Sequence, residues 1–324
     1  MSYADALSRL PPEFSDYDNV KISFGDPENY VIQSKLGRGK YSDVFLGLSL
    51  RTGDPCVIKS LKPIKDKKLN REIKVLQNIV DNPLTITLLD VVRDPVTKTI
   101  SLVTDYANNV DYRTLYKTFS EAKFKKYFFL LAKVLDSVHS NGIMHRDVKP
   151  PNIMFDPYTD TLKLIDWGLA EFYRPGTEYS VKVSTRYFKG PELLLKYTTY
   201  DYSVDMWSFG CVLLSALLLK FPFFKGFDEA DQLEKIVKVI GSKEYSDYLI
   251  KYSIHPPKGS SLALLPRKPW ESFVTPIVRT RFSSETIAMV LDLAGKLLVC
   301  DHQKRLSAAE VMKHPLFDGI DKDK

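Results

Sequence analysis

Cysteine is scarce: three residues in 324, with no CxxC pair among them. Cys56, Cys211 and Cys300 lie far apart in apolar settings such as 55-PCVIK-59 and 297-LLVCD-301. This argues against a disulfide framework or a zinc site and for a reducing compartment. Long apolar runs are also missing. The longest, 211-CVLLSALLL-219, falls well short of the roughly 20 residues a membrane span needs, so it reads as a buried helix and no membrane association is expected. The opening MSYADALSRLPPEF carries Asp5 and Arg9 and no apolar stretch, so no secretory signal is expected. Internal repeats and low-complexity blocks are absent too.

What is present is globular composition, 44% hydrophobic and 27% charged, in a chain long enough for one large domain or two ordinary ones. Net charge is +6 and unevenly spread: 59-KSLKPIKDKKLNREIK-74 holds seven Lys or Arg against Asp66 and Glu72. A solvated helix face is the plain reading of such a run, and binding of acidic substrates the sharper one. No aromatic residues interleave with these charges, so nucleic acid is not an expected partner.

From Tyr30 to Tyr106 the pattern is short, β-branched or alternating runs interrupted by one helical stretch near residues 67–80, which predicts a small antiparallel sheet with one helix. The run 84-LTITLLDVV-92 reads as one of its strands. After the polar stretch 107-ANNVDY-112 the texture turns helical, as in 120–142, where Ser120 can cap the start and Gly142 the end. The predicted fold is therefore α+β and bilobal. An extended N-terminal segment covers 1–29, a β-rich lobe 30–106, a hinge 107–110 and a mainly α-helical lobe 111–324, with a ligand cleft between the lobes.

Four constellations carry chemistry. In 36-LGRGKYSDVF-45, Gly37 and Gly39 let backbone amides approach a polyphosphate, although Ser42 replaces the third glycine of GxGxxG and Tyr41 excludes a Walker A loop. Lys59 ends an apolar strand and needs a partner, for which Glu72 is the candidate; the pair can present an ammonium to phosphates. In 145-HRDVKPPN-152, Asp147 can accept a hydroxyl proton, Lys149 can neutralise a transferring phosphoryl group and Asn152 can offer an oxygen to Mg²⁺. Asp166, in IDWG, supplies the hard carboxylate Mg²⁺ prefers.

In that order, GxGxxS, CVIK, Glu72, HRDVKPPN, DWG and GPE resemble a eukaryotic protein kinase. The strings REIKVLQN, LIDWGLAEFY, TRYFKGPELL and DHQKRL resemble, more narrowly, the catalytic α subunits of casein kinase II. That resemblance implies an acidophilic serine/threonine kinase that is active without activation-segment phosphorylation. It implies use of ATP and also GTP with Mg²⁺, residence in cytoplasm and nucleus, and assembly on a dimeric regulatory β subunit into an α2β2 tetramer. By the same resemblance, Leu36, Gly37, Arg38, Gly39, Ser42, Val44, Val57, Lys59, Asp105, Ala107, Asn109, Met154 and Ile165 contact the nucleotide. Lys65, Lys67, Lys68, Lys182, Thr185, Arg186 and Lys189 contact the substrate. Ile32, Phe45, Val92, Pro95 and Val103 are expected on the β-subunit docking face, Tyr17 and Phe24 against the activation segment, and Glu192 paired with Arg305. The sequence departs from the family at Pro151 in place of His, at Thr104 in place of a bulky Phe, and at Asp66 and Asn70 within the lysine cluster. Three cations at Lys182, Arg186 and Lys189, each contributing about 1 kcal/mol, would favour acidic over neutral peptides about 150-fold. A catalytically dead scaffold is the rival reading, but it would require a missing Lys, Asp or metal ligand.

Overall fold

The computed structural model describes residues 3–63, 65–256 and 264–321. Strands β1 (Tyr30–Arg38), β2 (Ser42–Ser49), β3 (Pro55–Leu61), β4 (Leu88–Arg93) and β5 (Ile100–Asp105) form one antiparallel sheet in the order β1-β2-β3-β5-β4. Helix α1 (Asp66–Asn78) follows β3. Strand alternation sorts the side chains of this sheet. Val44, Lys59, Leu102 and the Val57–Thr104 pair share the face that looks into the cleft, while Phe45, Cys56, Ile58 and Val103 share the other.

The rest is mostly helical: α2 (Tyr112–Thr118), α3 (Glu121–Ser140), α4 (Pro191–Leu194), α5 (Ser203–Leu218), α6 (Glu229–Ile240), α7 (Ser242–Lys251), α8 (Pro276–Arg281), α9 (Ser284–Leu297) and α10 (Ala308–Val311). Two small ribbons pair β6 (Ile143–Met144) with β9 (Glu171–Phe172) and β7 (Ile153–Asp156) with β8 (Thr161–Leu164). Helix α3 begins where expected, since the Ser120 hydroxyl accepts from the Lys123 amide. It ends just before Gly142, whose φ of +76° favours a residue without Cβ. The apolar run in α5 is a helix buried at every position, and no helix among the described residues is long and apolar enough to cross a membrane.

Two local expectations change. Only the second half of 84–92 is strand, because Asn82 turns the chain. Its side chain accepts from the Leu84 amide, and the Thr85 hydroxyl donates to the carbonyls of Ile79 and Asn82. The N-terminal segment is not simply extended either, since it makes short 3-10 turns at Ala6–Arg9 and Pro12–Phe14. Packing and hydrogen bonds tie it down. Tyr17 stacks on Phe172 and Phe14 meets the same ring edge-on. The Asn78 amide donates to the Phe14 carbonyl, and Arg174 donates to Ser15.

Candidate active site

The catalytic loop is shaped from below. Asp205, within the fully buried α5, accepts from the backbone amides of His145 (2.8 Å) and Arg146 (2.7 Å) and from the His139 ring (2.9 Å). These donors hold its carboxyl below the ordinary value despite burial. The loop is thereby fixed with Arg146 at φ +64°. The sequence reading assigned no role to Asp205; its signal was a carboxylate inside an otherwise apolar helix.

On this support the polar residues of 145–152 converge. Lys149 Nζ donates to Asp147 Oδ2 (2.6 Å) and to Thr185 Oγ1 (3.0 Å), while Thr185 donates from its hydroxyl (3.1 Å) and its amide (3.0 Å) to Asp147 Oδ1. A hydroxyl, a carboxylate and an ammonium thus form one triangle. Asn152 spends its amide hydrogens on the Asp147 carbonyl (2.9 Å) and Oδ2 (3.3 Å), which leaves its side-chain oxygen as the free ligand atom.

The second cluster joins the sheet to this loop. Lys59 Nζ lies 2.7 Å from Glu72 Oε1 and 2.9 Å from Asp166 Oδ1. Burial alone would lower the lysine's pKa, but the carboxylates of Glu72 and Asp166 outweigh it and raise it. For Asp166, burial would raise the pKa, yet Lys59 above all pulls it down to about 2. A carboxyl lowered in this way contributes stability above its unfolded pKa, near 4, and loses that contribution as pH falls through about 2. Asp166 therefore stays ionised at any pH near neutrality. It adopts φ +62° and keeps its side chain 44% exposed to the cleft. Gly168 follows because a Cβ there would stand 3.2 Å from the Glu72 carboxylate.

The cavity at this junction measures about 280 Å³ and is lined by Gly39, Ser42, Lys59, Lys68, Arg71, Asp147 and Asp166, among others. Its roof is the β1–β2 turn, closed by Gly39 N donating to the Ser42 carbonyl (2.8 Å) and tethered by Lys62 Nζ to the Gly39 carbonyl (2.6 Å). Gly37 lies beside a register shift in β1 that opens this turn. Leu36 is half-exposed, and Arg38 reaches back toward Asp43 (3.7 Å). Val44, Val57, Ala107, Met154 and Ile165 are partly buried and do not line this cavity. Asn109 is exposed on the connection after β5. The Asp105 carboxylate is taken by Lys163 (2.7 Å) and the Thr87 amide (2.6 Å), and its own amide donates to the Thr87 carbonyl (3.1 Å). A larger hollow of about 530 Å³ lies under the N-terminal segment, but only Asp5 and Arg174 of its lining are charged.

Several expectations need correction. Lys189 is not a free cation: its side chain is 8% exposed and its ammonium sits 2.6 Å from Glu229 Oε1. Arg186 donates to the Phe227 carbonyl, so of the three cations only Lys182 is open. On α1, Lys68 faces the cavity and exposed Lys65 precedes the helix, whereas Lys67 turns to Asp18 and the Tyr17 ring. Phe24 does not reach the activation segment; Arg93 lies 4.0 Å from its ring centre. Val92 and Val103 are buried in a cluster with Cys56 and Ile58 that Tyr30 and Phe45 cover, which leaves Ile32 and Pro95 exposed on that face. Glu192 and Arg305 do pair, at 2.6 and 2.7 Å.

The donor set fits a nucleotide with a divalent cation. Asp166 offers an open carboxylate and Asn152 an unused oxygen, both hard ligands. Lys59 brings a raised-pKa ammonium, and the glycine turn sits above them. A family model described as the protein kinase domain matches residues 30–317.

Proposed function

The chain belongs to the protein kinase family, and we propose that it is an acidophilic serine/threonine kinase of the casein kinase II catalytic type, using ATP or GTP with Mg²⁺. One observation carries the serine/threonine reading: the Thr185 hydroxyl lies 3.1 Å from Asp147 and 3.0 Å from Lys149 Nζ. A short aliphatic hydroxyl in the substrate can take the same place. The nucleotide and metal, when bound, supply the phosphoryl group and neutralise its charge. Asp147 then holds the acceptor hydroxyl in line and takes its proton, while Lys149 stabilises charge on the group in transfer. Lys59, fixed by Glu72, anchors phosphates; Asn152 and Asp166 would hold the cation.

Acid preference is supported by Lys182, Lys65 and Lys68, but less strongly than three free cations would imply, and Arg71 is held by Glu171. With Lys189 and Arg186 engaged, about tenfold is the expected preference. Peptides of sequence Ser-Asp-Glu-Glu, Ser-Ala-Ala-Ala and Ser-Arg-Arg-Arg test it through kcat/KM. A ratio of one between the first two removes the acidophilic reading.

Independence from phosphorylation is supported by charge already in place. Arg146 Nη2 lies 3.6 Å from Glu171, which also binds Arg71 at 2.5 Å. A built-in carboxylate thus meets the arginine that a phosphate would otherwise order. Deleting residues 1–28, which removes the Tyr17–Phe172 stack, is expected to lower kcat and Tm together, while phosphatase treatment leaves the full chain active. A phosphatase-silenced enzyme would refute this. Docking of a dimeric β subunit has narrower support than the sequence suggested, resting on Ile32, Pro95 and half-buried Phe45.

A further inference from the structure

The segment that carries Lys182, Arg186 and Lys189 is anchored at its middle to the catalytic carboxylate, through Thr185 and Asp147. Its cations therefore lie along the path of a bound substrate, and two of them are met by the chain entering α6. Arg186 donates to the Phe227 carbonyl, and Lys189 Nζ lies 2.6 Å from Glu229 Oε1. Among the described residues, the only other acceptor bonded to that ammonium is the Val181 carbonyl, at 3.4 Å. A side chain 8% exposed leaves its ammonium little access to water, and Glu229 supplies the counter-charge when no substrate is present.

Glu229 is suited to give the place up. Its side chain is 51% exposed, so water can take it back. Nor does the helix depend on it for a cap, because Asp228 accepts from the Asp231 amide and Asp231 from the Phe227 amide.

We infer that Glu229 is a specificity-determining residue: it stands at Lys189 where a carboxylate or phosphate of the substrate would bind, and an acidic substrate binds there by displacing it. This rests on the acidophilic reading above. The exchange replaces one ion pair by another, so the wild-type enzyme gains little from an acid close behind the acceptor and reads more distal acids through Lys182 and Lys68.

The test compares kcat/KM for Ser-Asp-Ala-Ala, Ser-Ala-Ala-Ala and Ser-Ala-Glu-Glu peptides in wild type and Glu229→Gln. The Ser-Asp to Ser-Ala ratio is expected to rise about 5- to 10-fold in the variant, chiefly through KM, with the neutral peptide changed less than about twofold. Adding Lys189→Ala to Glu229→Gln should erase the gain. An unchanged ratio, or an equal fall for all peptides together with a lower Tm, makes Glu229 an anchor only and overturns the inference. Glu229→Asn gives the same comparison if the glutamine variant folds poorly. Wild type that favours Ser-Ala-Glu-Glu while the variant ratio stays fixed refutes the Glu229 role alone. No preference for either acidic peptide in either protein refutes the acidophilic reading and this inference with it.

Discussion

Asp147→Asn is expected to lower kcat by about 10²- to 10⁴-fold with little change in Tm or in nucleotide KM. The substitution preserves size, and the one remaining oxygen can still accept from Thr185, while the amide nitrogen that replaces the other oxygen no longer accepts from Lys149. What it loses is basicity at the atom nearest the acceptor hydroxyl. Asp147 is 4% exposed and receives hydrogen bonds from Thr185, Lys149 and Asn152, so its position is over-determined and the effect should be chemical rather than conformational. Steady-state kinetics beside a thermal melt checks this. Turnover near wild type would mean that the base lies elsewhere.

The largest loss of stability is expected from Arg305→Ala. The guanidinium is fully buried, forks onto both Glu192 oxygens, and also donates to the carbonyls of Ser203, Val299 and Cys300. It therefore ties α4, the start of α5 and the chain after α9 to one another. Removing it strands a fully buried carboxylate, at a cost of about 3–5 kcal/mol. For a chain of this size Tm should fall on the order of 5–10 °C. Replacing both partners by Met should recover part of that loss, because no buried charge is then unpaired. A Tm within about 2 °C of wild type in Arg305→Ala would show that Glu192 finds another partner.

The catalytic residues were legible because phosphoryl transfer demands particular side chains at short, fixed spacing, as in 145–152 and 166. Lys59 with Glu72 was legible because an ammonium on an apolar strand needs a counter-charge on the next helix. What escaped depends on contacts between segments distant in sequence. Nothing near Lys189 announces that Glu229, forty residues on, will reach it. Glu171 gave no sign that it would serve both Arg71 and Arg146. Val92 and Val103 were assigned to an open face by family likeness, which does not tell whether Tyr30 and Phe45 fold over it. In the N-terminal segment, a composition rich in Pro, Asp and Ser suggested an extended chain, and packing of Tyr17 against the activation segment was expected only by family likeness, without its partner Phe172.

The bonds from Asp205 to the amides of His145 and Arg146 have a consequence for how the protein exchanges hydrogen with solvent. Amides tied to a helix buried along its whole length open only when that helix leaves its neighbours. The loop that carries the base thus belongs to the last cooperative unit to open, not to the fraying rim where most surface loops sit. Mild heating or denaturant will loosen the glycine turn long before it disturbs the base.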